Sequence, residues 1–523
     1  MKTMIYSLAL AALMSLGSCN DDDPILTQKD WDGTATYFAS TDEQFSTYYR
    51  PYVGYVGDPM PFYDPVEQNF KILYLQEFRP NQEATYHPIW GVSTKDVGSY
   101  QSLGEVIPTG NASEADAAIG TGSTIYNESE KVYYTFYTGH SANLEVVMMA
   151  TSSDFKTWTK SKTFYLQGND YGYSAKDFRD PFVFKGDDGV YHMIVSTMQG
   201  TKGVLAEFVS SDLKSWEHKG VFMSMMWDRF YECPDVFKMG DWWYLVYSEK
   251  LPAVRKVQYF KGRTLDELKA CTANDAGKWP DDHEGVLDSR AFYAGKTASD
   301  GTNRYIWGWC PTREGNNNTS VGAAPNEPQW AGNLVAHRII QHEDGSLSLG
   351  KVDGIDQKYT SVSSLKVMAK SENGVSENGG KYVLTGNSFV LFNRLNVANK
   401  ISFTVKTTDK TDKFGFSLVR GTDSKKYYSI VVNPEDNGKR KLNFEEQGEE
   451  GMGFVAGIDG YLFNTPTDNE YHITVYTDNS VCVVYINDNV AYTNRIYGTQ
   501  KNCWSINCYE GTVEVSNVEV SYY

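Results

Sequence analysis

The chain has 523 residues, with 66 Asp and Glu against 48 Lys and Arg, a formal net charge of −18. That acidic balance excludes nucleic-acid binding as the first reading, because a polyanion is held by a basic surface. Hydrophobic residues make up 41%, aromatics 14% and charged residues 22% of the chain, with 45 Gly and 17 Pro, which excludes disordered and collagen-like sequence.

Lys2 precedes an apolar run from Ile5 to Leu16, then Gly17-Ser18-Cys19, Asn20 and the acidic triplet Asp21 to Asp23. The run is far shorter than the roughly 20 residues a membrane-spanning helix requires. The pattern resembles a bacterial lipoprotein signal, which implies that residues 1–18 are a signal peptide and that Cys19 is lipidated. The acidic triplet resembles a surface-export signal. Residues 19–32 then read as a linker from the outer membrane to a protein facing the medium, with the periplasmic face as the alternative, and membrane contact is expected only through Cys19.

From residue 33 to 350 the chain carries an internal repeat. Ser152-Ser153-Asp154-Phe155-Lys156-Thr157-Trp158 returns as Ser210-Ser211-Asp212-Leu213-Lys214-Ser215-Trp216, 58 residues later. Ser93-Thr94-Lys95-Asp96 with Tyr100 precedes the first by the same 58, and Thr264-Leu265-Asp266 with Leu268 reads as a fourth copy. Alternating aromatic or β-branched runs precede the copies, at Phe70 to Leu75, Val132 to Tyr137, Val190 to Ser196 and Trp242 to Tyr247, and a fifth lies at Tyr305 to Trp309. Five strand-rich units at one period predict an all-β, five-bladed β-propeller, since one small sheet cannot bury both its faces alone. The innermost strand of each blade is then expected just upstream of each run.

On those inner strands fall Gly57-Asp58-Pro59, Gly120-Thr121-Gly122-Ser123, Arg179-Asp180-Pro181 and Glu232-Cys233-Pro234. Asp180 and Glu232 read as matched positions on adjacent blades. Any one acid before Pro is also an ordinary turn residue. Three converging carboxylates suit hydrolysis of a glycosidic bond, in which one acts as nucleophile or activates water and another gives a proton to the leaving oxygen. No His-Glu-x-x-His motif is present, and neither metal nor cofactor is expected. The cysteines lack Cys-x-x-Cys spacing; Cys503 and Cys508 have each other or Cys482 as partners, buried thiols are as consistent, and no disulfide is assigned.

Arg179-Asp180-Pro181, Glu232-Cys233-Pro234 and Gly122-Ser123 resemble motifs of glycoside hydrolase family 32, the invertases, inulinases and levanases. Leu287 to Ala294, Trp307-Gly308-Trp309 and the stretch Trp330 to Arg338 are similar to the family's later segments. The resemblance implies a retaining mechanism on β-fructosides: Asp58 as nucleophile, Glu232 as acid/base, and Asp180 as transition-state stabiliser, held ionised by Arg179. It also implies sugar contacts from Arg179, Gln76, Trp90, Ser123, Tyr293 and Trp309. One departure stands out. Where the family has Trp-Met-Asn-Asp-Pro-Asn-Gly, this chain has Tyr55-Val56-Gly57-Asp58-Pro59-Met60-Pro61, and only Asp-Pro is kept.

Beyond about residue 350 the period stops. Alternating runs at Ile401 to Val405, Tyr427 to Val432, Tyr471 to Tyr476 and Val481 to Ile486 predict a β-sandwich over 351–523, with the Ser-, Lys- and Gly-rich residues 355–380 as a connector. Two rival functions remain: an inverting arabinosidase or xylosidase resembling family 43, and a non-catalytic glycan-binding lipoprotein. An oligo- or polysaccharide is the expected partner in each case.

Overall fold

The computed structural model describes residues 45–51, 54–77, 87–141, 143–225, 230–250, 256–271, 285–312, 330–420, 426–447 and 460–523. Cys19 and the expected signal peptide and linker lie outside the described residues. The described residues divide into two compact units: those within 49–310 and 330–352, and those within 353–523 together with 45–48 and 311–312.

The first unit is built from five antiparallel strand groups. They are β1 to β4 (Tyr55–Asp64, Asn69–Glu77, Ile89–Thr94, Gln101–Ile107), β5 to β9 (Ala118–Asn127, Val132–Ser141, Leu144–Ser152, Thr159–Lys160, Leu166–Gln167), β10 to β13 (Phe178–Lys185, Tyr191–Gln199, Lys202–Ser210, Glu217–Ser224), β14 to β16 (Tyr231–Met239, Trp242–Glu249, Val257–Gly262) and β17 to β20 (Tyr293–Ser299, Arg304–Pro311, Gly332–Gln341, Leu347–Gly350). The first strands, β1, β5, β10, β14 and β17, neighbour one another in a closed cycle. β19 pairs with β1 at Gly332 and Val56, joining the last group to the first. This is the propeller.

The second strands are buried almost end to end rather than on alternate residues, as in β2 and β6. Each lies mid-blade with a neighbouring blade on either face, so both rows of side chains leave water. Apolar clusters fill the wedges between blades. Met60, Leu73 and Phe155 lie in the first, Phe136, Phe178 and Phe208 in the second, and Ile194, Trp243 and Leu245 in the third.

The repeated tripeptide is a turn with a physical logic. Asp96, Asp154 and Asp212 each accept two backbone N–H groups through Oδ1, at 2.7–3.0 Å. Each is followed by a left-handed residue, Val97, Phe155 or Leu213 (φ 58–64°), and the Asx turn offsets that strain. The Trp three positions on closes the turn: Trp158 Nε1 donates to Phe155 O and Trp216 Nε1 to Leu213 O, both at 3.3 Å. The expected fourth copy is different. Thr264 instead caps a short helix, Leu265–Ala270 (α1), by accepting from Glu267 N at 3.1 Å.

The second unit is a sandwich of two antiparallel sheets. One runs Val375–Asn378, Lys381–Thr385, Thr512–Tyr522, Ala398–Thr407, Glu470–Asp478, Val481–Ile486, Val490–Arg495; the other runs Val367–Lys370, Ser388–Phe392, Trp504–Glu510, Lys413–Val419, Tyr427–Val432, Lys439–Gln447, Tyr461–Asn464. Phe403 of the first packs on Phe416 and Trp504 of the second, at ring-centroid distances of 6.0 and 6.3 Å. The expected connector at 355–380 is corrected: Ser361–Val362, Val367–Lys370 and Val375–Asn378 pair into the two sheets. Their largely exposed residues hide the periodicity. Residues 45–48 and 311–312, within the expected propeller range 33–350, also belong to this unit. Asp478 accepts the N–H groups of Ser46, Thr47 and Tyr48, and Arg495 Nε donates to Pro311 O at 2.8 Å. No disulfide forms among the described residues.

Candidate active site

Every inner strand of the propeller carries a bulge at the same level. The register slips between Gly57 and Met60, Gly120 and Gly122, Arg179 and Phe182, Glu232 and Asp235, and Tyr293 and Lys296. A bulge re-aims the chain, and Pro suits it because no ladder donor is lost there; hence Asp-Pro in β1 and β10, and Cys-Pro in β14. Asp180, Cys233 and Ala294 adopt left-handed φ values of 58, 53 and 55° at the bulge.

The bulges define two tiers. Gly57, Gly120, Arg179, Glu232 and Tyr293 occupy one; Asp58, Thr121, Asp180, Cys233 and Ala294 occupy the next. Glu232 therefore matches Arg179 rather than Asp180, one position away from the sequence alignment. Alignment by acid and Pro misses the extra residue in Glu-Cys-Pro. Nearly all of these residues converge on one cavity of about 820 Å³, within the usual range for a small-ligand site.

Asp180 is 4% exposed and fully engaged. Thr121 Oγ1 donates to its Oδ1 at 2.5 Å, Cys233 N to its Oδ2 at 2.9 Å, and its own N–H goes to Thr138 Oγ1 at 2.9 Å. Glu232 is held by Arg179 Nη2 on Oε1 at 3.1 Å and by the Tyr293 hydroxyl on Oε2 at 2.7 Å, with Lys250 Nζ 3.6 Å away. Asp58 Oδ1 accepts from Trp309 Nε1 at 2.8 Å. Burial raises the Asp58 carboxyl to about 6; Trp309 opposes that rise, Asp180 and Glu232 add to it, and Lys296 offsets part of it. Burial works against the Arg179 charge, but Glu232, Glu145 and Asp180 outweigh it and raise its pKa. Burial likewise raises the Cys233 thiol well above its ordinary value, so it is no thiolate nucleophile.

The remaining expected sugar contacts divide. Arg179 and Tyr293 line the cavity, whereas Gln76, Trp90, Ser123 and Trp309 do not. Trp309 is fully buried and supports the site from behind, donating to Asp58 and packing its ring against those of Tyr293 and Trp330 at 5.7 and 6.2 Å. Ser123 stitches two blades together, donating to Pro181 O at 3.0 Å and accepting from Val183 N at 2.9 Å. Gln76 is fully buried on β2, opposite Val56, and Trp90 sits on β3 between Tyr74 and Glu105.

Several cavity residues escaped sequence reading. Glu145 takes Arg179 Nη1 on both oxygens at 2.9 and 3.2 Å and Phe178 N at 2.9 Å, which fixes the guanidinium for Glu232. Its signal was a lone acid opening the apolar run Leu144 to Met149. Trp330 accounts for one part of the departure around Asp58, the glycine at position 57. A Cβ at Gly57 would lie 2.3 Å from the Trp330 ring, which is held by His87 at 4.4 Å and Trp309 at 6.2 Å between centroids. The indole occupies the space next to Gly57, so no side chain fits at that position.

Fold and site together define an acidic-site propeller glycosidase with a sandwich partner domain. The model of the Glycosyl hydrolases family 32 N-terminal domain matches residues 48–350, and that of the GH32, BT1760-like, C-terminal domain matches residues 345–520. The chain belongs to glycosyl hydrolase family 32. It is 31% identical over 190 residues to a sucrose-6-phosphate hydrolase of Vibrio alginolyticus, covering 33% of this chain and about a third (36%) of that relative. To the sucrose-6-phosphate hydrolase of Escherichia coli it is 23% identical over 472 residues, 86% of this chain and 88% of that one. The fold matches fructan 1-exohydrolase IIa from Cichorium intybus with a TM-score of 0.67 at 15% identity, covering 91% of this chain and 97% of that one.

Proposed function

We propose that the protein hydrolyses β-fructosides, sucrose-type or fructan, by a retaining double displacement. The observation that carries this reading is the convergence of Asp58, Asp180 and Glu232 on one cavity with Arg179 and Tyr293 gripping Glu232. Asp58 is the nucleophile on the anomeric carbon, and its expulsion of the leaving oxygen is assisted by a proton from Glu232. The covalent fructosyl–Asp58 ester is then cleaved by a water that Glu232 deprotonates. Both Asp180 oxygens accept donors from the fold, which suits a fixed carboxylate that binds sugar hydroxyls and steadies positive charge at the ring. The family membership supports the reaction class, and the related sucrose-6-phosphate hydrolases and fructan exohydrolase support the substrate class.

The test is hydrolysis of sucrose, inulin, levan and aryl arabinosides by the chain lacking residues 1–19, with the product anomer followed by NMR. Fructose released with retention is the expected result. Inversion on an arabinoside, or no hydrolysis with sugar binding intact, overturns it.

We also infer from Leu16-Gly17-Ser18-Cys19 and the following aspartates a lipid anchor at Cys19 on the outer membrane. Metabolic labelling with a palmitate analogue should mark the full chain and not its Cys19→Ala variant.

A further inference from the structure

Blades two and three share one pattern but differ at their outer edge. Glu232 follows Trp216 by sixteen positions, and the third blade ends in one continuous eight-residue strand, β13, whose pairing with β12 shifts register twice. The equivalent Arg179 follows Trp158 by twenty-one positions, and the edge of the second blade breaks into the two-residue pieces β8 and β9, both paired with β7. The chain between these pieces carries Ser161, Thr163, Phe164 and Tyr165, and with Trp216 of the next blade it walls a cavity of about 710 Å³. This cavity lies on the second and outer strands of the second blade beside the third-blade turn, whereas the three candidate carboxylates stand on first strands.

Its chemistry is mixed in a particular way. Phe164 and Trp216 both stand edge-on to the buried Phe136, at 5.5 and 5.4 Å between ring centroids. Tyr165 is 41% exposed, and the Trp216 N–H is already given to Leu213, so the aromatic groups offer faces more than donors. The polar rim is an ion pair: Glu130 accepts from Lys214 Nζ at 2.6 Å and from the Tyr134 hydroxyl at 2.5 Å. Opposite charges cancel, which disfavours an anionic or cationic ligand. An apolar chain would leave the carboxylate, ammonium and hydroxyl groups of the rim unmatched. A neutral sugar satisfies both surfaces, its C–H face against the rings and its hydroxyls on the rim.

We propose that this cavity is a second carbohydrate site that holds a short run of sugar units of the polymeric substrate while the inner funnel cleaves elsewhere on the chain. The proposal rests on the fructoside-hydrolase reading for the identity of the sugar. The test uses the chain lacking residues 1–19 and its Tyr165→Ala and Tyr165→Ala/Lys214→Ala variants, with melting temperatures as a check on folding. For levan and inulin we expect KM to rise roughly five-fold with kcat unchanged, the loss of about one aromatic contact, while sucrose and kestose kinetics stay at parent values. In a Glu232→Gln background, retention in levan- or inulin-containing gels should fall by a similar factor. Unchanged polymer KM and retention in folded variants overturn the proposal, and so does an equal loss on small and polymeric substrates. If the parent hydrolyses no fructoside, the hydrolase reading fails, whereas Tyr165-dependent retention in the gels still supports the cavity as a sugar site.

Discussion

The propeller and the sandwich both bury charge, and they use it in opposite ways. In the sandwich unit Asp478 is fully buried, and burial lifts its carboxyl to about 6 even though three backbone N–H groups donate to it at 2.7–3.1 Å. Arg440 is spent on the carbonyls of Asp412, Asn433 and Asp409. In the propeller Asp58 is raised to the same value of about 6, but its neighbours are other side chains around a cavity. A perturbed carboxyl therefore does not by itself mark an active site. What separates the two is the company: backbone donors fix a chain segment, whereas carboxylates facing one another across a cavity await a ligand.

Substitutions can break that contrast. The largest effect should come from Glu232→Gln and Asp58→Asn, each lowering kcat by at least about 10³-fold, because the shape is kept while the acid or the nucleophile is lost. Circular dichroism should show an unchanged fold, and steady-state rates give the loss. Next comes Gly57→Asn, which restores the family's own residue. Since even a Cβ there meets the Trp330 ring at 2.3 Å, the expected result is about a 10²-fold fall in kcat/KM as Trp330 and Asp58 are displaced. A gain of activity would show that the indole yields. In the sandwich, Asp478→Ala should leave kinetics unchanged and destabilise that unit. It strands three N–H donors at roughly 1–3 kcal/mol each, against relief of about 3 kcal/mol from removing a carboxyl raised from 3.8 to about 6. Stranding matches or outweighs relief, and a net loss between about 0 and 6 kcal/mol is expected in denaturant melts.

The same contrast sets what was legible in the sequence. The 58-residue repeat was readable because each turn is a local device: an Asp, a left-handed residue and a Trp or Tyr within seven positions. The acids were readable because their bulges carry Pro. Glu145 and His87 were not readable as site residues, since each enters the cavity from another strand or loop with no motif around it; Trp330 opens a stretch that resembles a later family segment, but that resemblance does not by itself put its ring in the cavity. Ser123 lies two positions past the cavity residue Thr121 and Trp309 pairs across the ladder with the cavity residue Tyr293, but their polar groups are consumed by Pro181, Val183 and Asp58. Adjacency in sequence does not say which side of a strand faces the funnel. In the sandwich the central strands were plain from alternation, and the exposed edge strands at 361–378 were not.

The smallest effect is the pH response, and its sign separates Asp58 from an ordinary paired carboxylate. A nucleophile must be ionised, so with Asp58 raised to about 6 the acid limb of kcat/KM should bend near pH 6 and fall about ten-fold by pH 5. Stability runs the other way. Asp58 holds its proton more tightly folded than unfolded, so its ionisation costs stability as pH rises from 3.8 through about 6. Asp58→Asn removes that cost and should stabilise the propeller at pH 7 by at most about 3 kcal/mol. The gap between variant and parent should close on acidification towards pH 4. A carboxylate held by a salt bridge would give the reverse: a destabilised Asn variant at neutral pH. If melts at pH 7 show that loss, the Trp309 hydrogen bond and the Lys296 charge outweigh burial, and the acid limb should then lie well below pH 6.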